Sequence, residues 1–259
     1  MSTTAKLTYS ILPTDGSRNF TTIDDDVVTG GKLQSWTPDI RTVEITDVRG
    51  KEEEYTLDNN GFEFHHYPSK HTKFVDDEEI KAEYYPETAE FVKKMTGAKK
   101  ALMFEHSRFQ LLSYKLVTYS RMTPLAIRRR RPGSLETPED RRPVIYVHVD
   151  RSPASCIARV RKHFPPEEAE ELLKGRVQLI NLWRPLTPAL DWPMAFCDYR
   201  SIDPKRDVVP STLAHKDHDG YNMLSVYHPD HRWYYRSGMM PDDLVMIKML
   251  VPVQMHVTG

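Results

Sequence analysis

Hydrophobic residues in this chain recur in short runs, many of them alternating with polar residues, a pattern that favours β-strands over long helices. The cleanest run is VIYVHVD at 144–150. Further runs that predict strands lie at 99–106, 177–186, 194–202, 222–229 and 243–253. Two short alternating stretches within 42–56, on either side of Arg49-Gly50, predict a hairpin.

Apolar residues at helical spacing are confined to two regions of the chain. The first predicts helices at 77–84 and 87–95, separated by Pro86. The second predicts helices at 155–164 and 165–175, the latter with Pro at its entry and Gly at its exit. Helices therefore flank a larger set of strands.

This distribution predicts the fold class. The chain has neither a GxGxxG fingerprint nor a P-loop, which argues against a nucleotide-binding parallel sheet. We predict a β-rich α+β protein whose core is a double-stranded β-helix, the jelly-roll or cupin-like architecture, with flanking helices. Residues 1–40 have few apolar runs and are predicted to form an extended N-terminal arm. Residues 41–259 are predicted to form a single domain.

Composition narrows the function classes. Among 259 residues, 36 Lys and Arg balance 37 Asp and Glu, which argues against a nucleic-acid partner or a polybasic membrane contact. The run Arg128 to Arg131 is accordingly expected to be a solvated or ion-paired surface. Two cysteines without a disulfide framework, and no apolar stretch of membrane length, predict a cytoplasmic protein with no membrane partner.

The sharpest chemical feature is His148-Val149-Asp150, at the end of the predicted strand 144–150. Strand alternation places His148 and Asp150 on one face, about 6.5 to 7 Å apart along the strand. An imidazole and a carboxylate so placed, with one distant histidine, form the facial triad of non-haem Fe(II) oxygenases. The alternative is a polar pair at a strand end, because the pattern HxD is common by chance.

The third metal ligand has several candidates among the later histidines. We choose His231, which with His228 flanks Pro229-Asp230 after a predicted strand. The alternatives left open are His228, His215, His218 and His256. A turn histidine beside Trp233 is the structural alternative for His231.

Two arginines are candidates for binding the carboxylate of a keto acid, because a guanidinium pairs with a carboxylate through two parallel hydrogen bonds. Arg236 follows the candidate histidines closely in sequence. Arg184, in NLWRPL, lies on a predicted strand and is a candidate contact for the substrate or the keto acid. A structural ion pair is the alternative for Arg184.

Longer stretches of the chain resemble a known family. They are VEITDVRGKEEEYTLDNNGFEFHHYPSKHTKFVDDEEIKAEYYPE, IRRRRPG, VHVDRSPASCIARV, ELLKGRVQLINLWRPLTPALDWPMAFCDYRSID and HPDHRWYYRSGMMPDDLVMIK. Together they cover most of residues 41 to 248 and are similar to fungal hydroxylase/desaturases of the asaB type, related to the gibberellin desaturase and cephem methoxylase subunit groups.

The resemblance implies an oxidoreductase of fungal secondary metabolism that uses Fe(II), 2-oxoglutarate and O2 on a small-molecule substrate, with His148 and Asp150 holding the iron. Relatives continue beyond the DDLVMIK stretch to a Pro-His-Thr segment and an arginine-bearing strand. By resemblance, those supply the distal iron ligand and the co-substrate clamp, and this chain instead continues MLVPVQMHVTG. The domain is therefore expected to lack that motif. The alternative function is a non-enzymatic ligand- or partner-binding homologue without a complete iron triad.

Overall fold

The computed structural model describes residues 1–22, 33–74, 76–107, 111–116, 127–128, 140–141, 144–190, 193–214 and 219–249. The strands in this part of the chain are β1 (Ser2–Ile11), β2 (Phe20–Thr22), β3 (Thr37–Asp47), β4 (Phe62–His66), β5 (Met103–Ser107), β6 (Leu111–Leu116), β7 (Ile127–Arg128), β8 (Asp140–Arg141), β9 (His148–Val149), β10 (Ile180–Pro185), β11 (Ala195–Cys197), β12 (Val208–Ala214), β13 (Asp219–Ser225), β14 (Trp233–Tyr235) and β15 (Asp243–Lys248). The helices are α1 (Asp77–Glu79), α2 (Tyr85–Thr96), α3 (Pro153–His163) and α4 (Pro166–Leu173). A π-helical turn, Ile80–Tyr84, joins α1 to α2, and Glu52–Glu54 and Tyr199–Ser201 are short 3-10 turns.

Three sheets build the body of the described chain. A five-stranded sheet has the order β4-β15-β10-β6-β5. A four-stranded sheet has the order β1-β3-β14-β11, and a second has the order β2-β12-β13-β9. The strands pair mostly antiparallel, as expected for the predicted β-rich α+β class.

An aromatic core joins the five-stranded sheet to the first four-stranded sheet. Phe62 on β4 and Trp183 on β10 pack with Phe196 on β11, and the Phe62 and Phe196 ring centres are 5.3 Å apart. Full burial of one such side chain stabilises the fold by roughly 2–3 kcal/mol. Trp183 is 2% exposed, and its neighbour Leu182 points to the opposite face of β10.

The outer face of the five-stranded sheet is covered by helix. Phe91 and Val92 of α2 pack with Leu182 of β10 and Met246 of β15 in a second buried cluster. All six residues of β10 are consequently buried, which explains why this strand reads as an apolar run rather than as a strict alternation. The strand that carries Arg184 and Asn181 is thus fixed on both sides.

The stretch predicted as an N-terminal arm contributes two strands to the sheets. β1 pairs with β3 from Ser2 opposite Thr46 to Ile11 opposite Thr37, and β2 pairs with β12. The predicted hairpin at 42–56 is wrong, because its second half forms the turn Glu52–Glu54. The Glu52 carboxylate accepts a hydrogen bond from the backbone N–H of Gly50, a local contact that competes with strand pairing.

The predicted break at Pro86 is also wrong. Helical structure runs without interruption from Asp77 to Thr96, and Pro86 lies in the first turn of α2. The wider π-helical turn immediately before it accommodates a residue that has no N–H to donate. Gly97, in the left-handed conformation with φ of 68°, ends the helix.

Two predicted strands are shorter in the structure than in the sequence pattern. Of the run 144–150, only His148–Val149 pairs with β13, and Tyr146 makes a single bridge to Thr8. Of the run 243–253, β15 ends at Lys248, and residues 250–253 lie outside the described chain. Across the ranges that the structure describes, no helix has the length and apolar character to cross a membrane.

Candidate metal centre

The His148–Asp150 pair lies where a strand gives way to a helix. His148 is on β9, which runs antiparallel to β13 with Leu224 directly opposite His148. Two residues after Asp150, Ser152 caps α3 by accepting a hydrogen bond from the backbone N–H of Ser155 at 3.2 Å. The strand pairing and the helix cap fix the backbone on both sides of the two side chains.

The hydrogen bonds of His148 determine what the pair can bind. Its Nδ1 lies 2.8 Å from the backbone oxygen of Tyr146, and its Nε2 lies 3.1 Å from Oδ1 of Asp150. Because a carbonyl oxygen only accepts, Nδ1 carries the proton. In a neutral imidazole, Nε2 is then an acceptor that faces a carboxylate, which is also an acceptor. A proton on either group, or a metal ion held by both, would make this contact favourable.

The other oxygen of the Asp150 carboxylate is held by Asn181. The Asn181 side chain on β10 donates from Nδ2 to Oδ2 of Asp150 at 2.5 Å. Asn181 is 2% exposed, whereas the side chains of His148 and Asp150 are 24% and 30% exposed. The pair is thus open to solvent on one side and supported from the interior on the other.

His231 does not join this pair. Its Nε2 lies 3.1 Å from Oδ2 of Asp207, and its Nδ1 lies 3.1 Å from the Tyr9 hydroxyl. Trp233 donates to the same hydroxyl at 2.8 Å. Since both ring nitrogens of His231 are used inside the protein and its side chain is 2% exposed, the structure corrects its choice as third metal ligand.

Asp207 is the charged member of this second pair. Hydrogen bonds from the Arg206 guanidinium, and further ones from the Asp203 backbone N–H and His231, hold the pKa of Asp207 well below its usual range. Burial raises the pKa of the Tyr9 phenol, so its hydroxyl stays protonated and can donate to His231. A neutral His231 therefore satisfies both of its partners.

The other histidine candidates differ in what the structure says of them. His228 lies four residues beyond Leu224, the partner of His148, on the side away from Asp150. It instead lies 3.3 Å from Asp230, through Nδ1 and Oδ2. His215, His218 and His256 lie outside the described residues, as does Arg129 to Arg131 of the arginine run. Across the described ranges, no three His, Cys, Asp or Glu side chains are grouped closely enough to hold a metal.

Arg184 faces the helical layer rather than the interior between the sheets. Its guanidinium donates to the Tyr84 hydroxyl at 3.1 Å and to the backbone oxygens of Pro241 and Tyr67 at 2.7 and 2.6 Å. The side chain is 2% exposed and fastens β10 to the layer that covers it. These contacts give Arg184 a structural role, different from the predicted carboxylate contact and from the alternative of an ion pair.

Arg236 is committed to two carboxylates of the protein itself. It donates from Nε to Glu52 and from Nη1 to Asp243, both at 2.6 Å. Asp243 is also close to His66 and accepts from the backbone N–H of Met240. With Nε and Nη1 bound to these two carboxylates, Arg236 does not match the predicted clamp for a keto acid.

Sequence reasoning did not find Asn181, Asp207 or Tyr9. Asn181 lies in the predicted strand 177–186 but carries no sequence signal that links it to Asp150, thirty-one positions away. Tyr9 lies in the predicted arm, and its partner His231 is 222 positions away. Only the sheet pairing of β10 and of β1 brings these residues to their partners.

Comparison with known proteins agrees with the predicted resemblance. A family model described as "Oxidoreductase/YMDC permease-like domain" matches residues 7–252. Hydroxylase/desaturase CTB9 of Cercospora beticola is 30% identical over 93% of this chain and 73% of its own length. Hydroxylase/desaturase efuI of Hormonema carpetanum is 29% identical over 80% of this chain and 70% of its own length.

The fold is shared with a solved structure. The iron and alpha-ketoglutarate-dependent endoperoxidase NvfI superposes with a TM-score of 0.76, covering 96% of this chain and 84% of that one at 22% identity. The chain thus belongs to the fungal hydroxylase/desaturase family of oxidoreductases, as the sequence resemblance predicts.

Proposed function

We propose that this chain is an Fe(II)- and 2-oxoglutarate-dependent hydroxylase or desaturase acting on a small specialised metabolite. The observation that carries the proposal is the arrangement of His148, whose Nδ1–H donates to a backbone carbonyl while Nε2 faces the Asp150 carboxylate. Metal-ligating histidines commonly have this arrangement, with one nitrogen hydrogen-bonded to the protein and the other facing the metal.

His148 and Asp150 have the ligand chemistry that Fe(II) requires. Imidazole nitrogen and carboxylate oxygen are the donor types of non-haem Fe(II) oxygenases, and the pair sits at the end of β9 with partial access to solvent. We propose further that the facing sheets form the double-stranded β-helix expected for such enzymes. The relatives phiK and tstK are named alpha-ketoglutarate-dependent dioxygenases, which supports the same cofactor here.

Each residue has a defined task in the proposed enzyme. His148 and Asp150 would hold the iron, and the carbonyl of Tyr146 fixes the ring orientation of His148. When bound, iron together with 2-oxoglutarate and O2 supplies the oxidising power to remove a hydrogen from a C–H bond of the substrate. We place the protein in the cytoplasm, because Cys156 and Cys197 are free thiols.

The second candidate function is a ligand-binding homologue without oxygenase activity. It is favoured by one observation, that only two candidate iron ligands meet within the described ranges. Two protein ligands bind a metal more weakly than three, so the two functions predict different affinities for iron. Metal binding therefore separates them.

The test is an anaerobic titration of the purified protein with Fe(II) and 2-oxoglutarate, followed through the metal-to-ligand charge-transfer band. We expect the band in the wild type and its loss in His148→Ala. The matched control is His228→Ala, because His228 also precedes an aspartate by two positions and is 26% exposed, against 24% for His148. No band from folded wild-type protein would favour the binding homologue.

A further inference from the structure

We infer that Asn181 is a positioning residue for the candidate metal centre, acting through Asp150. This inference rests on the proposed function. It starts from the contact in which Asn181 Nδ2 donates to Asp150 Oδ2 at 2.5 Å, while the other carboxylate oxygen of Asp150 faces His148. A donor on one oxygen fixes the rotation of the carboxylate and so fixes the direction of the second oxygen.

The surroundings of Asn181 indicate that its amide has a role in hydrogen bonding rather than in apolar packing. On β10 it alternates with Leu182, which packs against α2, and shares its face with Trp183 in the interior aromatic core. Its cross-strand partners are Ile247 on β15 and Lys115 on β6. A buried amide destabilises the fold unless it is hydrogen-bonded.

A comparison with Asn60 separates the two kinds of buried asparagine. Both are 2% exposed, and both donate from Nδ2 to an aspartate, Asn60 to Oδ2 of Asp198 at 3.2 Å. Asn60 also accepts from the backbone N–H of Thr56, so both ends of its amide are used locally. The Oδ1 of Asn181 is buried and accepts no hydrogen bond from the described residues. Among the side chains that the structure describes, which exclude those of β6, Asp150 is the hydrogen-bond partner of the Asn181 amide.

This role predicts weaker metal binding when the amide is removed. Loss of a residue that orients a metal ligand typically lowers metal affinity by 10- to 100-fold. We therefore expect Asn181→Leu, which keeps the approximate volume and removes both polar atoms, to bind Co(II) about 10- to 100-fold more weakly than the wild type. Its Co(II) absorption bands are also expected to shift, because the carboxylate loses the Asn181 donor that orients it.

The experiment is a Co(II) titration of the full chain, read from the ligand-field spectrum. Asn60→Leu is the matched control, and we expect it to lower the unfolding temperature without moving the Co(II) affinity or the spectrum. Asn181→Ser, which is smaller and too short to reach the carboxylate, carries the same prediction if leucine prevents folding.

Failure of the positioning role and failure of the proposed function give different results in this experiment. Wild-type affinity and an unchanged spectrum in folded Asn181→Leu or Asn181→Ser would overturn the positioning role while leaving the proposed function intact. Equal weakening by Asn60→Leu would also overturn it, because the effect would then be general to buried asparagines. Absence of Co(II) binding by the wild type and by Asn60→Leu would overturn the proposed function and this inference with it.

Discussion

Two of the histidine–aspartate pairs in the described part of the chain have the same separation and different chemistry. His148 and Asp150 are 3.1 Å apart, as are His231 and Asp207. The first pair is partly exposed, at 24% and 30%, and the second is 2% and 1% exposed. The difference lies in the partner on the far nitrogen of each ring.

That far partner decides what each pair can do. For His231 it is the Tyr9 hydroxyl, which can donate, so a neutral ring completes the network. For His148 it is a carbonyl oxygen, which can only accept, so the nitrogen facing Asp150 has no proton in a neutral ring. The His231 pair is satisfied by groups of the protein, whereas the His148 pair places an imidazole nitrogen and a carboxylate oxygen where they could share a proton or a metal ion.

The largest expected effect is on the free energy of unfolding, when the aspartate of each pair is replaced by asparagine. We expect Asp207→Asn to lower the free energy of unfolding by about 3 kcal/mol, because it removes a buried charge that Arg206 and His231 bind. This value is at the lower end of the usual range for a buried ion pair, because the Arg206 side chain is 45% exposed. Asp150→Asn is expected to change it by less than about 1 kcal/mol, because Asp150 is partly exposed. Urea unfolding at neutral pH measures both values.

The same two variants are expected to behave oppositely towards metal. Asp150→Asn should weaken Co(II) binding by more than about 100-fold, which exceeds the usual loss from a residue that only orients a ligand. Asp207→Asn should leave the affinity unchanged. A loss of Co(II) binding in Asp207→Asn that is as large as in Asp150→Asn would remove the distinction between the pairs.

Sequence reasoning could identify the first pair because its two members are neighbours on a strand. The spacing of His148 and Asp150 and the alternation of VIYVHVD contain the whole signal, and the family resemblance adds to it. Local information of the same kind predicted the helix 155–164, and α3 begins two residues earlier and ends one residue earlier than predicted. The pair and α3, each encoded within about ten residues, were therefore predictable, whereas the equally local hairpin at 42–56 and break at Pro86 were not.

The second pair was not predictable, because each of its contacts depends on sheet pairing between distant segments. His231 has a neighbouring Pro229-Asp230 and Trp233 in sequence, which suggested a turn or a ligand. Its actual partners come from β1 and from the turn before β12, which no local pattern connects. Arg184 was misjudged for a similar reason, since alternation cannot tell which face of a doubly buried strand meets the helices.

The pH dependence of stability tests the charge on Asp207, the aspartate of the second pair. The pKa of Asp207 is held below its usual range, first by the hydrogen bond from Arg206. A carboxyl with a depressed pKa in the folded state contributes stability that is present above its unfolded pKa of about 4 and is lost as pH falls through the folded value. We expect the difference in unfolding free energy between wild type and Asp207→Asn to stay at its neutral-pH value, about 3 kcal/mol, from pH 5 to 8. It should shrink below pH of about 4, as urea unfolding at stepped pH would show. A difference that grew with acid would contradict this assignment.

The smallest effect concerns the hydroxyl that makes the second pair self-sufficient. Tyr9 is fully buried, donates to His231 and accepts from the Trp233 indole N–H. Tyr9→Phe keeps the ring contacts with Trp233 and Tyr227, so the expected loss is about 1–2 kcal/mol, the cost of leaving buried polar groups without a partner. Without the hydroxyl, Nδ1 of His231 loses its donor. Thermal unfolding of Tyr9→Phe measures the loss, and Tyr227→Phe, which removes a hydroxyl from the ring that packs edge-on against Tyr9, is the matched control. An effect of Tyr9→Phe no larger than that of Tyr227→Phe would show that the Tyr9 hydroxyl does not complete the His231 network, and that the two pairs differ in burial alone.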